Sequence, residues 1–313
     1  METERSLASQ SVRLCVCVAT FRRPVGLTRL LRSLGALRFS LATSPSLEIV
    51  VVDNDSEGSA AATCRECGPI LRWPIIYLRE PRRGIAFARN RAVRAARLRG
   101  ADLIAFVDDD EVPEPAWLDE LLAVLARYQA DVVTGPVLPV FEGRVPGWML
   151  QGRFFESPRR KTGTRVDRAA TNNVLVRAHV FSQVGGVFDE GLALTGGEDT
   201  EFFLRVSHAG CQIVWADSAI VNEWTPETRT RTSWLLRRAY KVGTGWGCFK
   251  HALQPSGRYA MRGLAKGLLL LPLSFARGRH AIVSSLQLVA VGVGFLVAKA
   301  GFRFDAYRRT DGR

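Results

Sequence analysis

Apolar runs of strand length alternate with stretches of helical periodicity along most of the chain. The sequence VRLCVCVA at 12–19 is typical of a buried strand, and leucines at helical spacing follow it at 27, 30, 31 and 34. The same alternation continues, and it predicts an α/β fold with a Rossmann-like, mainly parallel sheet covered by helices on both faces. The further predicted strands are 48–52, 74–78, 103–107, 130–137 and 173–177, and the further predicted helices are 84–99, 117–128 and 200–209.

The alternation is interrupted in two places. Residues 139–170 are rich in Gly, Pro and Arg, and they predict a long irregular stretch, which in a compact domain is usually functional or disordered. Beyond Trp234 the chain becomes apolar and basic, and 281–298 contain no charged residue. These 18 residues reach the lower limit for a membrane-spanning helix, and the polar residues at 284, 285 and 287 weaken that interpretation.

The apolar and basic region after Trp234 predicts contact with a membrane. We expect two interfacial or re-entrant helices on the anionic cytoplasmic leaflet, because basic residues flank the apolar run on both sides. A single membrane-spanning helix and a buried helix of a soluble protein are the alternatives. The first ten residues, METERSLASQ, contain no apolar core of a secretory signal, so we expect a disordered N-terminus and a cytoplasmic protein with reduced cysteines.

Charge separates the two ends of the chain. The net charge is +13, from 43 Lys and Arg against 30 Asp and Glu. Sixteen of the basic residues and only two of the acidic ones lie in 228–313, so the first 227 residues are close to neutral. A strongly basic balance indicates nucleic acid, anionic lipid or a phosphorylated substrate as partner. Because the first part is neutral and shows no nucleic-acid-binding motif, we expect no nucleic-acid partner.

Acidic residues collect where predicted strands end. The sequence LIAFVDDDEVPEP at 103–115 places four acids side by side, directly after an apolar strand. Adjacent carboxylates raise one another's pKa, and a divalent cation relieves this conflict. Mg²⁺ or Mn²⁺ takes hard oxygen ligands and completes its shell with substrate phosphates, so the cluster predicts a phosphate ester as ligand. The alternative is a solvated acidic turn that opens the helix beginning near Pro115. In our interpretation, Glu111 and Glu114 are acids at the start of that helix.

Three acidic positions are expected to converge at one edge of the sheet. Ligands of parallel α/β sheets bind at the carboxyl ends of the strands. Asp53 follows the second predicted strand, the acids at 108–110 follow the fourth, and Asp199 stands in a glycine-flanked turn. A carboxylate at Asp199 could act as a general base on a hydroxyl group, and its alternative role is that of a helix-capping acid.

Five motifs follow one another along the chain, namely VATFRRP at 18–24, VVVDNDS at 50–56, RGIAFARNRAV at 83–93, FVDDDEVP at 106–113 and TGGEDTEFFLRV at 195–206. Their order and spacing, through about residue 245, resemble those of inverting family 2 glycosyltransferases of the GT-A fold. GPVLPVF at 135–141 and TNNVLVR at 171–177 further resemble bacterial exopolysaccharide glucosyltransferases of the succinoglycan type.

The resemblance implies roles for residues that would bind a sugar donor. It assigns Thr20 and Arg22 to the nucleotide end of the donor and Asp53 to its uracil. Arg89 and Asn90 would lie against the nucleotide. The residues of the acidic motif complete this set, with Asp108 at the ribose or sugar, Asp109 as the donor-side spacer and Asp110 as the ligand of the divalent metal, Mg²⁺ or Mn²⁺.

The resemblance also implies a catalytic base and an acceptor side. Asp199 would deprotonate the acceptor hydroxyl. Many relatives carry a Gln-x-x-Arg-Trp element after the base, and this chain departs from that pattern, with Arg237, Arg238 and Trp246 as the nearest candidates. The candidates on the acceptor side are Asn172, Asn173, Gly197, Glu198 and Trp246.

The activity implied by the resemblance is metal-dependent, inverting transfer of a hexose. The donor would be UDP-glucose and the acceptor a polyprenyl-diphosphate-linked glycan at the cytoplasmic face of the inner membrane, in exopolysaccharide or cell-surface glycan biosynthesis. A sugar-1-phosphate nucleotidyltransferase and a non-catalytic basic nucleic-acid or membrane-binding protein are the alternatives. The predicted parts are the N-terminus at 1–10, a nucleotide-binding half at 11–137, an acceptor-binding half at 138–245 and a basic helical region at 246–313.

Overall fold

An eight-stranded sheet forms the centre of the fold in the computed structural model, which describes residues 12–249 and 255–302. The predictions for 1–10 and for the far end of the basic tail lie outside the described residues. The strands are β1 (Arg13–Thr20), β2 (Ser46–Asp53), β3 (Ile75–Arg79), β4 (Leu103–Phe106), β5 (Glu111–Pro113), β6 (Val132–Thr134), β7 (Val137–Phe141), β8 (Arg165–Val166), β9 (Val174–Arg177), β10 (Ile213–Trp215) and β11 (Val221–Thr225).

The strand order confirms a mainly parallel sheet. It is β3-β2-β1-β4-β9-β6-β10-β8, and β1 pairs in parallel with both β2 and β4. Only β9 and β8 run antiparallel to their neighbours. The carboxyl ends of β1, β2 and β4 therefore meet at one edge, which is where the acidic motifs of the sequence lie.

Helices cover both faces of this sheet, as the periodicity predicts. Alternate residues of β1 enter two cores, Leu14 and Val16 on one face and Cys15 and Cys17 on the other, because successive side chains of a strand point to opposite faces. The helices are α1 (Pro24–Gly35), α2 (Ala61–Cys67), α3 (Ile85–Leu98), α4 (Trp117–Arg127), α5 (Gly147–Gln151), α6 (Val180–Gln183), α7 (Glu198–His208), α8 (Thr232–Cys248), α9 (Pro255–Ser274) and α10 (Arg279–Lys299).

The four leucines of α1 show what holds a helix to the sheet. Leu27, Leu30, Leu31 and Leu34 are all fully buried in the core that α1 shares with α4. Pro24 begins the helix because proline at the first helical position sacrifices no hydrogen bond. Each buried leucine contributes about 1.5–3 kcal/mol. Truncating one of them to alanine is therefore expected to cost about 2–5 kcal/mol of stability.

The stretch after α4 differs from its prediction. One strand was expected over 130–137 and an irregular segment over 139–170, whereas β6 ends at Thr134 and β7 extends to Phe141. The strand β7 joins β11 and β5 in a separate three-stranded sheet. This pairing joins segments about eighty residues apart, so local periodicity cannot reveal it. The supposed irregular segment also contains α5 and β8.

Three helices, α8, α9 and α10, lie in the described residues of the C-terminal part, and α8 runs through the predicted boundary between 245 and 246. Glycines let α10 approach the other two closely, because a Cβ at Gly243 or Gly294 would collide with the backbone of the facing helix. A Cβ at Gly292 would likewise lie 2.5 Å from the side chain of Leu264 of α9. The helix α10 is long and apolar enough to cross a membrane, and it is the one such helix within the described residues. Its packing against α8 and α9 favours one helical layer over an isolated span.

Candidate active site

The acidic turn between β4 and β5 is folded back on itself. The carboxylate of Glu111 accepts a hydrogen bond from the backbone N–H of Asp108 at 2.7 Å and is buried. Burial raises the pKa of Glu111 well above its usual range. Glu111 begins β5, where it lies opposite Glu223 of β11, and α4 starts only at Trp117. The prediction that Glu111 is a helix-start acid is wrong, because strand pairing continues the chain beyond the turn.

Asp109 anchors this turn to the start of α1. Thr20 donates its hydroxyl hydrogen to Asp109 Oδ2 at 2.8 Å, and Arg23 donates to Asp109 Oδ1 at 2.9 Å. Burial raises the pKa of Asp109 to about 6, against the opposing effect of Arg23. Gly26 lets the helix approach, because a Cβ there would lie 2.5 Å from the carbonyl oxygen of Asp109. Asp109 therefore ties the acidic turn to the end of β1 and the start of α1, and its place beside the donor stays a prediction.

Asp110, the predicted metal ligand, is paired with two arginines. Its Oδ2 accepts from Arg23 Nη1 at 3.0 Å and from Arg229 Nη2 at 2.8 Å. The other terminal nitrogen of Arg229, Nη1, donates to Glu223 Oε1 at 2.8 Å. Sequence reasoning missed Arg23, Arg229 and Glu223. Arg23 stands in the motif FRRP and could have been found there, whereas no local signal distinguishes Arg229 among the basic residues of the tail.

Arg89 joins the acidic turn to the turn that precedes α7. It donates to Asp108 Oδ1 at 2.9 Å through Nη2 and to Glu198 Oε1 through Nη1. Burial raises the pKa of Glu198 to about 7, and Arg89 opposes the rise. Within the described residues, Oε2 of Glu198 is buried without a hydrogen-bond partner. The two motifs that the sequence separates by some ninety residues are thus parts of one site.

Asp199, the predicted base, lies in the first turn of α7. The helix begins at Glu198 and not at Thr200 as predicted, because Gly196 and Gly197 form the turn with φ of +77° and +89°. Asp199 is half-buried, and its Oδ1 accepts from the backbone N–H of Thr200 at 2.6 Å. Its negative charge helps to raise the pKa of Asp108, which burial raises first. Asp199 therefore lies within electrostatic range of the donor-side acids.

The end of α8 packs against the same turn. Gly245 lies beside Gly196 and Gly197, and a Cβ on Gly197 would be 3.3 Å from the ring of Phe249. Trp246 packs in a small apolar cluster with Phe249. Lys241 of α8 interacts with the charges of Glu198 and Asp199, which oppose the lowering of its pKa by burial. The structure thus places the end of α8 beside the turn of Gly197 and Glu198, and the acceptor-side roles of these residues stay predictions.

Asp53 and Arg22 lie on the other side of the site. Asp53 is fully buried, and its carboxylate accepts from the backbone of Ala60 at 2.6 Å and from the Tyr77 hydroxyl at 3.1 Å. It therefore holds the loop after β2 in place. Arg22 is exposed and pairs with Asp55 at 2.9 Å, and this hydrogen bond holds the pKa of Asp55 below its usual range. A contact of Asp53 with uracil stays a prediction.

Two predicted asparagines are engaged inside the protein. Asn90 bonds both the N–H and the carbonyl of Phe188, at 3.0 and 2.9 Å, and so positions the loop before α7. Asn173 is fully buried, donates to the carbonyls of Pro136 and Ala219 and accepts from Trp117 Nε1. Its surroundings give it a structural task and do not support an acceptor contact. Its neighbour Asn172 is half-buried and remains a candidate for the acceptor side.

A divalent metal would find hard oxygen donors on Asp108 and Asp110. Their side chains are 36% and 21% exposed, so both carboxylates can be reached by a ligand. Across 12–249 and 255–302, no three His, Cys, Asp or Glu side chains are grouped as ligands of one ion. The donor set therefore fits an ion such as Mg²⁺, which takes one or two carboxylates and completes its shell with water and substrate phosphate.

Comparisons with known proteins agree with this arrangement. The sequence model of Glycosyl transferase family 2 matches residues 15–184, and that of Glycosyl transferase family group 2 matches residues 103–300. Succinoglycan biosynthesis protein ExoM of Rhizobium meliloti is 31% identical over 291 residues, which cover 90% of this chain and 92% of ExoM. Glucosyl-dolichyl phosphate glucuronosyltransferase of Haloferax volcanii is 24% identical over 64% of this chain and 66% of that protein.

The fold is also found among solved structures. The structure of S. aureus TarS 1–349 in complex with UDP-GlcNAc superimposes with a TM-score of 0.54. The superposition covers 96% of this chain and 95% of TarS, at 18% sequence identity. At that identity the likeness shows a shared fold.

Proposed function

The chain belongs to glycosyl transferase family 2 and is a glycosyltransferase of the GT-A fold, and on this premise we propose its reaction. It transfers a hexose, glucose as the first candidate, from a UDP-sugar to a lipid-linked oligosaccharide in exopolysaccharide biosynthesis. The observation that carries the proposal is Arg89, which joins Asp108 of the donor-side turn to Glu198 beside the predicted base. The similarity to ExoM supports the exopolysaccharide assignment.

Asp199 acts as the general base in this proposal. Its Oδ1 is engaged by Thr200, so Oδ2 takes the proton from the acceptor hydroxyl. The acceptor oxygen forms a bond to the anomeric carbon from the side opposite the diphosphate, the bond from that carbon to the phosphate oxygen breaks, and UDP leaves. The configuration at the anomeric carbon is therefore inverted. Glu198, bound by Arg89, holds the turn on which Asp199 stands.

The donor lies along the carboxyl ends of β1, β2 and β4 in this proposal. Arg22 and the loop held by Asp53 face its nucleotide end, and Asp108 faces its ribose or sugar. Asp110 with Asp108 would hold a divalent metal, which supplies positive charge that stabilises the leaving diphosphate. Arg23 adds a fixed positive charge beside Asp110. Asp109 keeps both carboxylates in place and does not itself contact the donor.

The C-terminal helices provide a surface suited to a membrane. Four large apolar side chains near the end of α9 are exposed, and we call them the apolar tip: Leu268, Leu269, Leu273 and Phe275. Exposed basic residues lie on either side of this tip, among them Lys266 and Arg277. Such a surface fits an anionic bilayer, with the apolar tip buried among acyl chains and the cations at the headgroups. We propose peripheral attachment to the cytoplasmic face of the inner membrane.

Attachment of the enzyme to the membrane agrees with an acceptor that is itself anchored in the membrane. With the apolar tip in the bilayer, the enzyme is held at the membrane that carries polyprenyl-diphosphate-linked glycans. The Haloferax relative, which is named for glucosyl-dolichyl phosphate, agrees with a lipid-linked acceptor. In the domain division that we propose, 11–137 serve the donor and 138–245 the acceptor, while 246–313 serve the membrane. Neither the nucleotidyltransferase alternative nor the non-catalytic alternative agrees with membership of this family.

A ligand-protection experiment tests the proposed donor. The melting temperature is measured with Mn²⁺ and a panel of UDP-, GDP- and dTDP-sugars that includes UDP-glucose and UDP-GlcNAc. We expect stabilisation by UDP-sugars, greatest with UDP-glucose, and loss of that stabilisation in Asp110→Ala. Absence of stabilisation by any nucleotide sugar in the wild-type protein contradicts the proposed function. Stabilisation by another UDP-sugar in preference to UDP-glucose changes the hexose and leaves the reaction class intact.

A further inference from the structure

We propose that Arg229 occupies the cation position at Asp110 in the donor-free enzyme and must withdraw before a divalent metal binds there. Arg229 is then a positioning residue that competes with the metal. This inference rests on the proposed function, because it takes Asp110 as a metal ligand. A separate observation supports it: a single carboxylate oxygen, Oδ2 of Asp110, already accepts hydrogen bonds from two guanidinium groups.

The charges around Asp110 explain why the competition arises. Arg23 Nη1 and Arg229 Nη2 lie 3.0 and 2.8 Å from the same oxygen, Oδ2. Asp110 thus faces two positive charges already. A divalent ion on either carboxylate oxygen would lie a few ångströms from both guanidinium groups and would be repelled by them, since such repulsion is strong away from bulk water. One of the two arginines must move for the ion to bind with full affinity.

Arg23 cannot move without a large cost. The same Nη1 atom also donates to Asp109 Oδ1 at 2.9 Å. Asp109 is buried, and an unpaired buried carboxylate is expensive. Arg23 also immediately precedes α1, whose approach to the acidic turn depends on Gly26. Arg23 is therefore a fixed part of the site.

Arg229 has an alternative set of contacts. Its Nη1 donates to Glu223 Oε1 at 2.8 Å, and its guanidinium carbon lies 5.9 Å from the centre of the Trp234 ring. If Nη2 swings away from Asp110, the ion pair with Glu223 and the contact with the ring can both persist. Arg229 ends a short 3-10 helix, Glu227–Arg229, between β11 and α8. The residue can thus leave Asp110 by a local change of its side chain.

The site has two states in this proposal. In the first, Arg229 neutralises Asp110 and the carboxylate is held in position before any ligand arrives. In the second, the metal takes Asp110 and Arg229 pairs with Glu223 alone. Because the two cations exclude each other, removing the guanidinium favours the second state. The affinity of the donor-free protein for the metal should therefore rise when Arg229 is lost, which is the reverse of what loss of a metal ligand does.

The test is a titration of the full-length protein with Mn²⁺ in the absence of nucleotide, followed by electron paramagnetic resonance of the free ion. Arg229→Ala is compared with the wild type and with Arg229→Lys, which keeps the charge. The matched control is Arg238→Ala, which removes a charge from the same surroundings, because Arg238 also lies over Trp234 at 5.4 Å. Asp110→Ala identifies the site.

We expect Arg229→Ala to bind Mn²⁺ about tenfold more tightly than the wild type, within the usual range of coupling between sites. We expect Arg238→Ala and Arg229→Lys to stay within about threefold of the wild type, below the usual range of that coupling. Equal or weaker binding by Arg229→Ala, while the wild type binds, overturns this inference alone. No Mn²⁺ binding by any variant, even with UDP, overturns the proposed metal dependence and this inference with it. Unchanged melting temperatures across the variants show that folding is intact.

Discussion

Arg89 of α3 binds the buried carboxylate of Glu198, which lies 109 residues later in the chain at the start of α7. The next residue, Asp199, is half-buried and is engaged by Thr200 through only one oxygen. Two adjacent acids are therefore given different tasks by their surroundings. Glu198 secures the turn to the acidic motif, and Asp199 keeps an oxygen for chemistry.

The pH dependence of stability should reveal the burial of Glu198. Its pKa is raised from 4.5 to about 7, so the folded protein retains a proton that the unfolded chain releases. The free energy of unfolding should therefore fall as pH rises from 4.5 to 7 and level off above that range. In Glu198→Gln this fall should be shallower by about 3 kcal/mol. Urea unfolding of both proteins at several pH values, in EDTA, measures this pH dependence of the unfolding free energy.

The control for that prediction is Glu66→Gln, because Glu66 is exposed on α2. Its curve of unfolding free energy against pH should run parallel to that of the wild type. If the curve of Glu198→Gln also runs parallel to the wild type, the carboxylate of Glu198 does not hold its proton in the folded protein.

Asn173 should prove essential to folding and not to acceptor binding. Asn173→Ala leaves three buried groups without partners, namely the carbonyls of Pro136 and Ala219 and Nε1 of Trp117. Each such group costs about 1–3 kcal/mol, so we expect a loss of more than about 3 kcal/mol in urea unfolding. Asn172→Ala is the matched control and should stay within about 0.5 kcal/mol. If Asn173→Ala is as stable as the wild type but binds the acceptor more weakly, the structural role of Asn173 is contradicted.

Gly26 should control the position of the acidic turn. In Gly26→Ala the new Cβ meets the carbonyl oxygen of Asp109 at 2.5 Å, so α1 must move away from the turn. We expect a loss of about 1–3 kcal/mol in stability and a smaller thermal shift with Mn²⁺ and UDP. Gly68→Ala is the control, because a Cβ there meets no atom within 4 Å. An unchanged thermal shift in Gly26→Ala would show that the contact does not shape the site.

Much of the sheet and of the site could be predicted because its signals are local. The spacing of Leu27, Leu30, Leu31 and Leu34 identifies the buried face of α1, and polar residues mark the carboxyl ends of β2 and β4. The convergence of the acids at 108–110 with Asp199 was expected from topology. That Arg89 joins Asp108 to Glu198 was not expected, because a sequence does not show which acid an arginine will meet, and a contact of Arg89 with the nucleotide stays a prediction.

The parts that escaped prediction depend on pairings distant in the chain. The strand β7 contains Pro139 and takes its partner from β11, so residues 137–141 alone do not show which sheet they join. The same strand β11 carries Glu223 to the acidic turn, where its backbone neighbour Trp224 donates to the carbonyl of Asp110 at 3.0 Å. The position of Arg229 beside Asp110 is a consequence of this placement. Its role depends on where β11 lies and not on any motif.

The apolar tip should carry membrane binding. Replacing Leu269 and Leu273 by Glu removes two exposed leucines, each contributing about 1.5–3 kcal/mol when fully buried, and should weaken binding to anionic vesicles more than tenfold. Co-sedimentation with vesicles of phosphatidylcholine and phosphatidylglycerol measures the bound fraction. Leu98→Glu is the control, because Leu98 is 82% exposed on α3 and lies outside the apolar tip. Equal binding by the double variant and the wild type would exclude this surface.

The role of Asp199 is tested by the rate of hexose transfer in Asp199→Asn, measured beside its donor binding. The acceptor is a synthetic polyprenyl-diphosphate-linked sugar, the donor is the nucleotide sugar that best stabilises the wild type, and released UDP is followed with Mn²⁺ present. Loss of a general base should lower the rate about 10²–10⁴-fold, while the donor-induced thermal shift stays at its wild-type size. Transfer by Asp199→Asn within twofold of the wild-type rate would contradict the assignment of the base.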